Sequence, residues 1–223
     1  MYKALLYKEF LKTRKTILAL ALVSIATHIY MYAKIGRSMR LVGIDHLWEV
    51  IIGRNIFLFG AITFIPLVAG IAIGLSQFVP ELRNKSLRLS LHLPVKESVA
   101  VATFVGYGTI VNVALSALSL VSLTIFASIY FPWEITQRVV QTTYPWFAAG
   151  LCAYAITAWI CLEPTWTRRA VNGLIGAGLV NLMFITSDPG AYSQAIGLVA
   201  LIAILPYAFI AESTVRFKQG VQD

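Results

Sequence analysis

The stretch SVAVATFVGYGTIVNVALSALSLVSLTIFASIYFPW, residues 98–133, contains no charged side chain, and how it is read decides the fold. As one helix it extends about 54 Å at 1.5 Å per residue, well beyond the roughly 30 Å hydrocarbon core of a bilayer. As a hairpin it offers too little chain for two crossings of about 20 residues and a turn. The flanking charges choose between the two. Other uncharged runs are Thr16–Ala33, Ile56–Val79, Trp146–Leu162, Ala170–Thr186 and Tyr192–Ala211. With residues 98–133 as one span, Lys3, Lys8, Lys12, Arg14, Lys15, Arg83, Lys85, Arg88, Lys96, Arg168, Arg169, Arg216 and Lys218 share one side. Only Lys34, Arg37, Arg40, Arg54 and Arg138 lie opposite. A hairpin would divide the basic residues almost evenly. Because cytoplasmic loops carry the excess of Lys and Arg, the pattern predicts six spans with both termini in the cytoplasm. The excess length of the third span then belongs to a tilted or projecting helix.

Composition supports a membrane setting. Apolar residues make up 58% of the chain and charged residues 13%, against roughly 25% charged in soluble domains. So few charges cannot cover a water-exposed surface, which excludes an aqueous enzyme, a disordered tail and a disulfide scaffold. The net charge of +8 follows the span flanks and has few interleaved aromatics, so no nucleic-acid partner is expected. Cys152 and Cys161 stand nine residues apart, on opposite sides of a helix, and cannot bridge within it. No cleavable leader is expected ahead of the first span. The whole chain, 1–223, reads as one all-α integral membrane domain.

Two further segments have amphipathic spacing. In residues 1–15, Lys8, Lys12 and Lys15 share one helical face while Tyr2, Leu6 and Phe10 line another, which predicts an interfacial helix on the inner leaflet. Ile44, Leu47, Trp48 and Ile51 predict a short helix lying on the outer surface, with a solvated loop as the alternative. Tyr30, Tyr32, Trp133, Tyr144 and Trp146 would form an outer aromatic belt, and Trp166 an inner one.

Catalytic patterns are missing. The chain has no glycine-rich phosphate loop and no paired-histidine zinc motif. Its three histidines are scattered, and Glu163 and Asp188 fall at span ends, away from the membrane centre. Neither a catalytic residue nor a bound cofactor or metal is expected on this chain. Gln77, Asn112, Asn172 and Asn181 are the mild polar residues within spans. Interhelical hydrogen bonding is their ordinary role; Asn112 and Asn181 are the candidates for a substrate path. Gly70 with Gly74, and Gly173 with Gly176, would let helices approach closely. Pro66 and Pro206 are expected to kink their spans.

The loop after the second span, residues 80–97, is unusual for a basic cytoplasmic segment because it carries Leu82, Leu87, Leu89, Leu91 and Leu93. These could bury in lipid or against a protein. A short helix ending at Pro94 is preferred over a strand, which would have no pairing partner.

With these residues in view, the chain resembles the membrane subunits of type-2 ABC exporters. The Lys8-Glu9 pair stands where those subunits carry a Lys-Glu pair in a basic first helix. Glu81, Ser86-Leu87, Leu91, Leu93-Pro94 and Val95-Lys96 follow the family's pattern after the second span. Lys85 departs from the usual glycine. The resemblance implies a dimeric permease, built from identical or different subunits, coupled to a cytoplasmic ATPase that binds ATP and Mg. It further implies that Glu81, Leu82, Ser86, Leu87, Leu91, Leu93 and Pro94 form the coupling element that meets the ATPase. Family members often carry a re-entrant hairpin between spans five and six, for which residues 187–190 leave little room. Expected, then, is an exporter subunit of the cytoplasmic (inner) membrane. The alternatives are a scaffold whose leucine-rich loop recruits a soluble protein, and, less favoured by the residues, a small intramembrane enzyme.

Overall fold

A chain in hydrocarbon must pair every backbone amide internally, and helices do so segment by segment. The computed structural model describes residues 2–53, 56–83, 97–186 and 188–219, and these contain helices and turns with no strand. In chain order the helices are α1 (Tyr2–Val42), α2 (Ile44–Gly53), α3 (Ile65–Arg83), α4 (Glu97–Tyr130), α5 (Trp133–Leu162), α6 (Trp166–Asn181) and α7 (Ile196–Gln219). Short 3-10 turns occupy Gly60–Ile62 and Leu182–Phe184.

Among the described residues, α1, α4, α5, α7 and the segment Gly60–Arg83 containing α3 are long and apolar enough to cross a membrane. The protein is a multi-pass membrane protein by that measure. The decisive stretch is one helix: α4 runs unbroken from Glu97 to Tyr130. The fifth expected span corresponds to α6, whose 16 residues extend only about 24 Å, short of the other five.

Helix α5 is the hub. In its most apolar 18-residue stretch 89% is buried, against 11% for α1. Ala148, Ala149, Ala153, Ala155 and Ala158 are buried along it and let neighbouring helices lie close. Leu5, Phe78, Phe104, Leu162 and Ile210 cluster at one end of the bundle, where α1 begins and α7 finishes. That end is called proximal below. Met31, Ile35, Phe59, Leu123, Phe131 and Trp146 cluster at the other, distal end.

Several expectations need correction. Residues 2–15 do not form a separate helix but are the opening turns of α1. No glycine or proline occurs before Gly36 to break it, and Leu5, Glu9 and Thr13 bury one stripe against the bundle. The expected outer helix exists as α2, turned back at Gly43 with φ +87°. Its Ile51 packs into the distal core rather than onto a membrane surface. Trp146 is buried there too, 5.5 Å from Phe57 by ring centroids, and so leaves the aromatic belt. Pro66 falls in the first turn of α3, where a missing N–H breaks no helical bond. Pro80, expected to open the loop, lies inside α3. Between α6 and α7 the described residues form turns, with Gly190 at φ +77°, and no re-entrant helix.

Candidate functional site

The proximal end holds Glu81 and Leu82, the described members of the segment to which the resemblance gives a coupling role. Glu81 lies in the last turn of α3, and Glu9 faces it from α1. Both carboxylates are buried, Glu9 at 1% exposure and Glu81 at 3%. Lys12 Nζ donates to Glu81 Oε1 at 2.7 Å and also pairs with Glu9. Lys8 Nζ reaches the same Glu81 oxygen at 2.7 Å. Both ammonium groups stand 5.9 Å from the centroid of the Phe104 ring on α4, within the range of a cation–π attraction. Among the described residues the two ammonium groups thus pair in a knot with the two buried carboxylates, Lys8 from a partly exposed position. The pairing matters, because a buried charge without a partner costs several kcal/mol.

One layer deeper, the knot is continuous with neutral polar contacts. Thr13 Oγ1 donates to Glu9 O at 2.9 Å and lies 2.8 Å from Tyr107 Oη on α4. Gln77 Nε2 donates to Phe104 O at 2.6 Å, while its Oε1 accepts from Tyr154 Oη on α5 at 2.9 Å. A Cβ at Gly108 would come within 2.2 Å of Tyr154 Oη and 2.5 Å of Gln77 Oε1. Only glycine lets these three helices meet there. The layer binds α1, α3, α4 and α5 just where the chain leaves α3 for residues 84–96.

A second ionic group closes the same end on the far side of α5. Glu163, fully buried, accepts at Oε2 from Arg216 Nη2 at 2.7 Å and from Ser213 Oγ at 2.8 Å. Arg216 also pairs with Glu212, and Arg169 Nε donates to Glu163 O at 2.6 Å. Burial alone would raise the Glu163 carboxyl. The hydrogen bonds from Arg216 and Ser213, with the charges of Arg216 and Arg168, outweigh it and hold the group below its ordinary value.

The expected site residues divide as follows. Glu81 was expected as an exposed loop charge; it is instead the buried centre of the first knot. Leu82 is partly buried against the proximal core. Ser86, Leu87, Leu91, Leu93 and Pro94 lie outside the described residues. Gly70 and Gly74 do pack within the chain: a Cβ on Gly70 would sit 2.0 Å from Gly150 O, and one on Gly74 would sit 2.8 Å from the Thr157 side chain. Gly176 is equally constrained, 2.4 Å from Ile156, whereas a Cβ at Gly173 would make only ordinary contact at 3.8 Å. Asn112 is buried and its Nδ2 donates to Gly150 O at 3.0 Å, joining α4 to α5. Asn181 is exposed at the end of α6.

The sequence reading named Glu9 only as half of a motif, and overlooked Lys12 with Glu81, Glu163 with Arg216, and Gly108. One signal was available. Glu9 is the only acid in the first 44 residues, and Glu163 is the only one between Glu134 and Asp188. A lone carboxylate among apolar and basic neighbours must find a partner. Among the described residues no group of His, Cys, Asp and Glu is arranged to hold a metal ion. In comparisons with known proteins, no family model, curated protein or solved structure matches the chain.

Proposed function

We propose that this chain is the membrane-spanning subunit of an ABC-type exporter. It works in the cytoplasmic (inner) membrane with both termini inside, as a dimer with an identical or related subunit. ATP and Mg bind a separate cytoplasmic ATPase, and the Glu81–Pro94 segment couples the two. The observation that carries this reading is the buried knot of Glu9, Lys12, Lys8 and Glu81. It supports the coupling role because it fastens α1, α3 and α4 to one another at the exit of the leucine-rich loop. A push on that loop is therefore felt by three helices at once. An element held by exposed charges would be screened and would yield alone.

The test is expression of the tagged chain with its native neighbours, followed by purification and measurement of ATP turnover. Expected is a co-purified ATPase whose turnover accompanies the wild-type chain. Leu87→Asp and Leu91→Asp should insert at wild-type levels yet lose at least about tenfold in association, the scale of one buried leucine. Wild-type association and turnover in both variants would remove the coupling assignment. A soluble partner without ATP turnover would favour a scaffold.

A further inference from the structure

An apolar cleft lies on the flank of the hub helix. It encloses about 370 Å³ between α3 and α6, floored by α5. Ile71 and Leu75 form one wall, Ile156 and Ile160 the floor, and Ala177 and Val180 the other wall. The close packing of Gly176 on Ile156 fixes the floor, and small Ala177 keeps the opening wide. Its walls are exposed on the outside of the bundle: Ile71 and Leu75 are both 40% or more accessible. In a bilayer this opening faces acyl chains. An empty apolar cleft forfeits dispersion contacts on every lining atom.

Charge at one mouth identifies the occupant. Toward the proximal end, α6 begins with Trp166, Thr167, Arg168 and Arg169. Arg169 stands seven residues before Gly176, so it occupies nearly the same face of α6, about 10 Å along the axis. Its guanidinium lies 5.0 Å over the Trp166 ring, and Trp166 is 80% exposed, as an indole at headgroup level would be. Arg168 is exposed beside it, and Arg83 is exposed at the same end of the α3 wall. An apolar cleft between helices with arginines at its mouth matches a two-part molecule, apolar along its length and anionic at its head.

We infer that the α3–α6 cleft is a binding site for one anionic phospholipid. An acyl chain lies between Ile71, Leu75 and Ala177, and the phosphate-bearing headgroup meets Arg168 and Arg169 beside Trp166. The site is independent of whether the chain exports anything.

The test uses the full chain in nanodiscs of phosphatidylglycerol and phosphatidylcholine at equal amounts, extracted into mild detergent, with retained lipid identified by native mass spectrometry. Wild type should retain one phosphatidylglycerol per chain in preference to phosphatidylcholine. Ala177→Phe fills the cleft and should reduce total retained lipid at least fivefold. Arg168→Gln leaves the cleft open and should lower the headgroup preference about fivefold while the chain still binds. Retention of the two lipids in the ratio supplied, or undiminished retention by Ala177→Phe, would overturn the site. So would ready cross-linking of Ala177→Cys to a second copy, since that copy would then be the occupant. If Ala177→Phe fails to fold, the Arg168→Gln ratio decides alone.

Discussion

The two ends of the bundle are held by different physics. At the distal end, Tyr32 stacks on Phe126 at 4.1 Å between ring centroids, Phe59 meets Phe126 and Phe131 edge-on, and Phe57 meets Trp146. At the proximal end, the knots at Glu81 and Glu163 join helices through charge. Aromatic packing is insensitive to pH and yields only to a change of shape. A buried ion pair is different: it adds little when intact but becomes a large penalty when one partner is removed. The distal end should therefore be indifferent to pH, while the proximal end adds to its apolar cluster a part that depends on charge.

The sharpest attack on this contrast is removal of a distal aromatic ring. Phe59 is 1% exposed, so Phe59→Ala should cost about 3–5 kcal/mol. Thermal unfolding in micelles should show that loss equally at pH 5 and pH 7. A loss that varied with pH would mean the distal end also depends on charge.

Next comes the Glu163 knot. Glu163→Ala leaves Arg216 without its buried partner and should cost about 3 kcal/mol at neutral pH, the low end for such pairs because Arg216 is partly exposed. Its pH dependence follows from the lowered carboxyl. A depressed folded-state pKa contributes stability that is present in full above the unfolded value, roughly 4.3. That contribution is lost as pH falls through the folded value. Wild type should therefore lose protection from hydrogen exchange at the α5–α7 end below about pH 4, while Glu163→Ala should lack this acid transition. Identical acid profiles for the two proteins would break the assignment.

The smallest expected effect lies within the first knot. Glu81→Gln keeps the shape and one acceptor but removes the charge that Lys8 and Lys12 share, and should cost about 2 kcal/mol. Because the groups share partners, Glu81→Gln with Lys12→Met should cost less than the sum of the two single changes. Additive effects in a double-mutant cycle would show that Glu81 and Lys12 act separately.

Residues far apart in the chain explain what could be read in advance. Helix identity and the unbroken path of α4 followed from uncharged length and flanking charge, which are local quantities. The close packing of Gly70 and Gly74 was legible from their spacing, since two small residues one turn apart make a groove wherever they lie. The Lys12–Glu81 pair was not legible, because 69 positions separate the partners and nothing in either neighbourhood specifies the other. Reading the first fifteen residues as a helix separate from the first span missed their continuity with α1. Leu6 and Phe10 of the expected apolar face are exposed, while a third stripe, Leu5, Glu9 and Thr13, buries against the bundle and was not read from the sequence.

The amino-acid sequence by itself determined that this is an all-helical, multi-pass membrane chain, because in hydrocarbon the backbone leaves almost no other choice and composition reveals the solvent. The tertiary structure decided which helix is central, which carboxylates are buried, and where each finds its cation. Apolar spans are interchangeable as solutes in lipid. Their neighbours are set by shape, through contacts such as Gly70 against Gly150, and by the few charges that must meet a partner or remain outside.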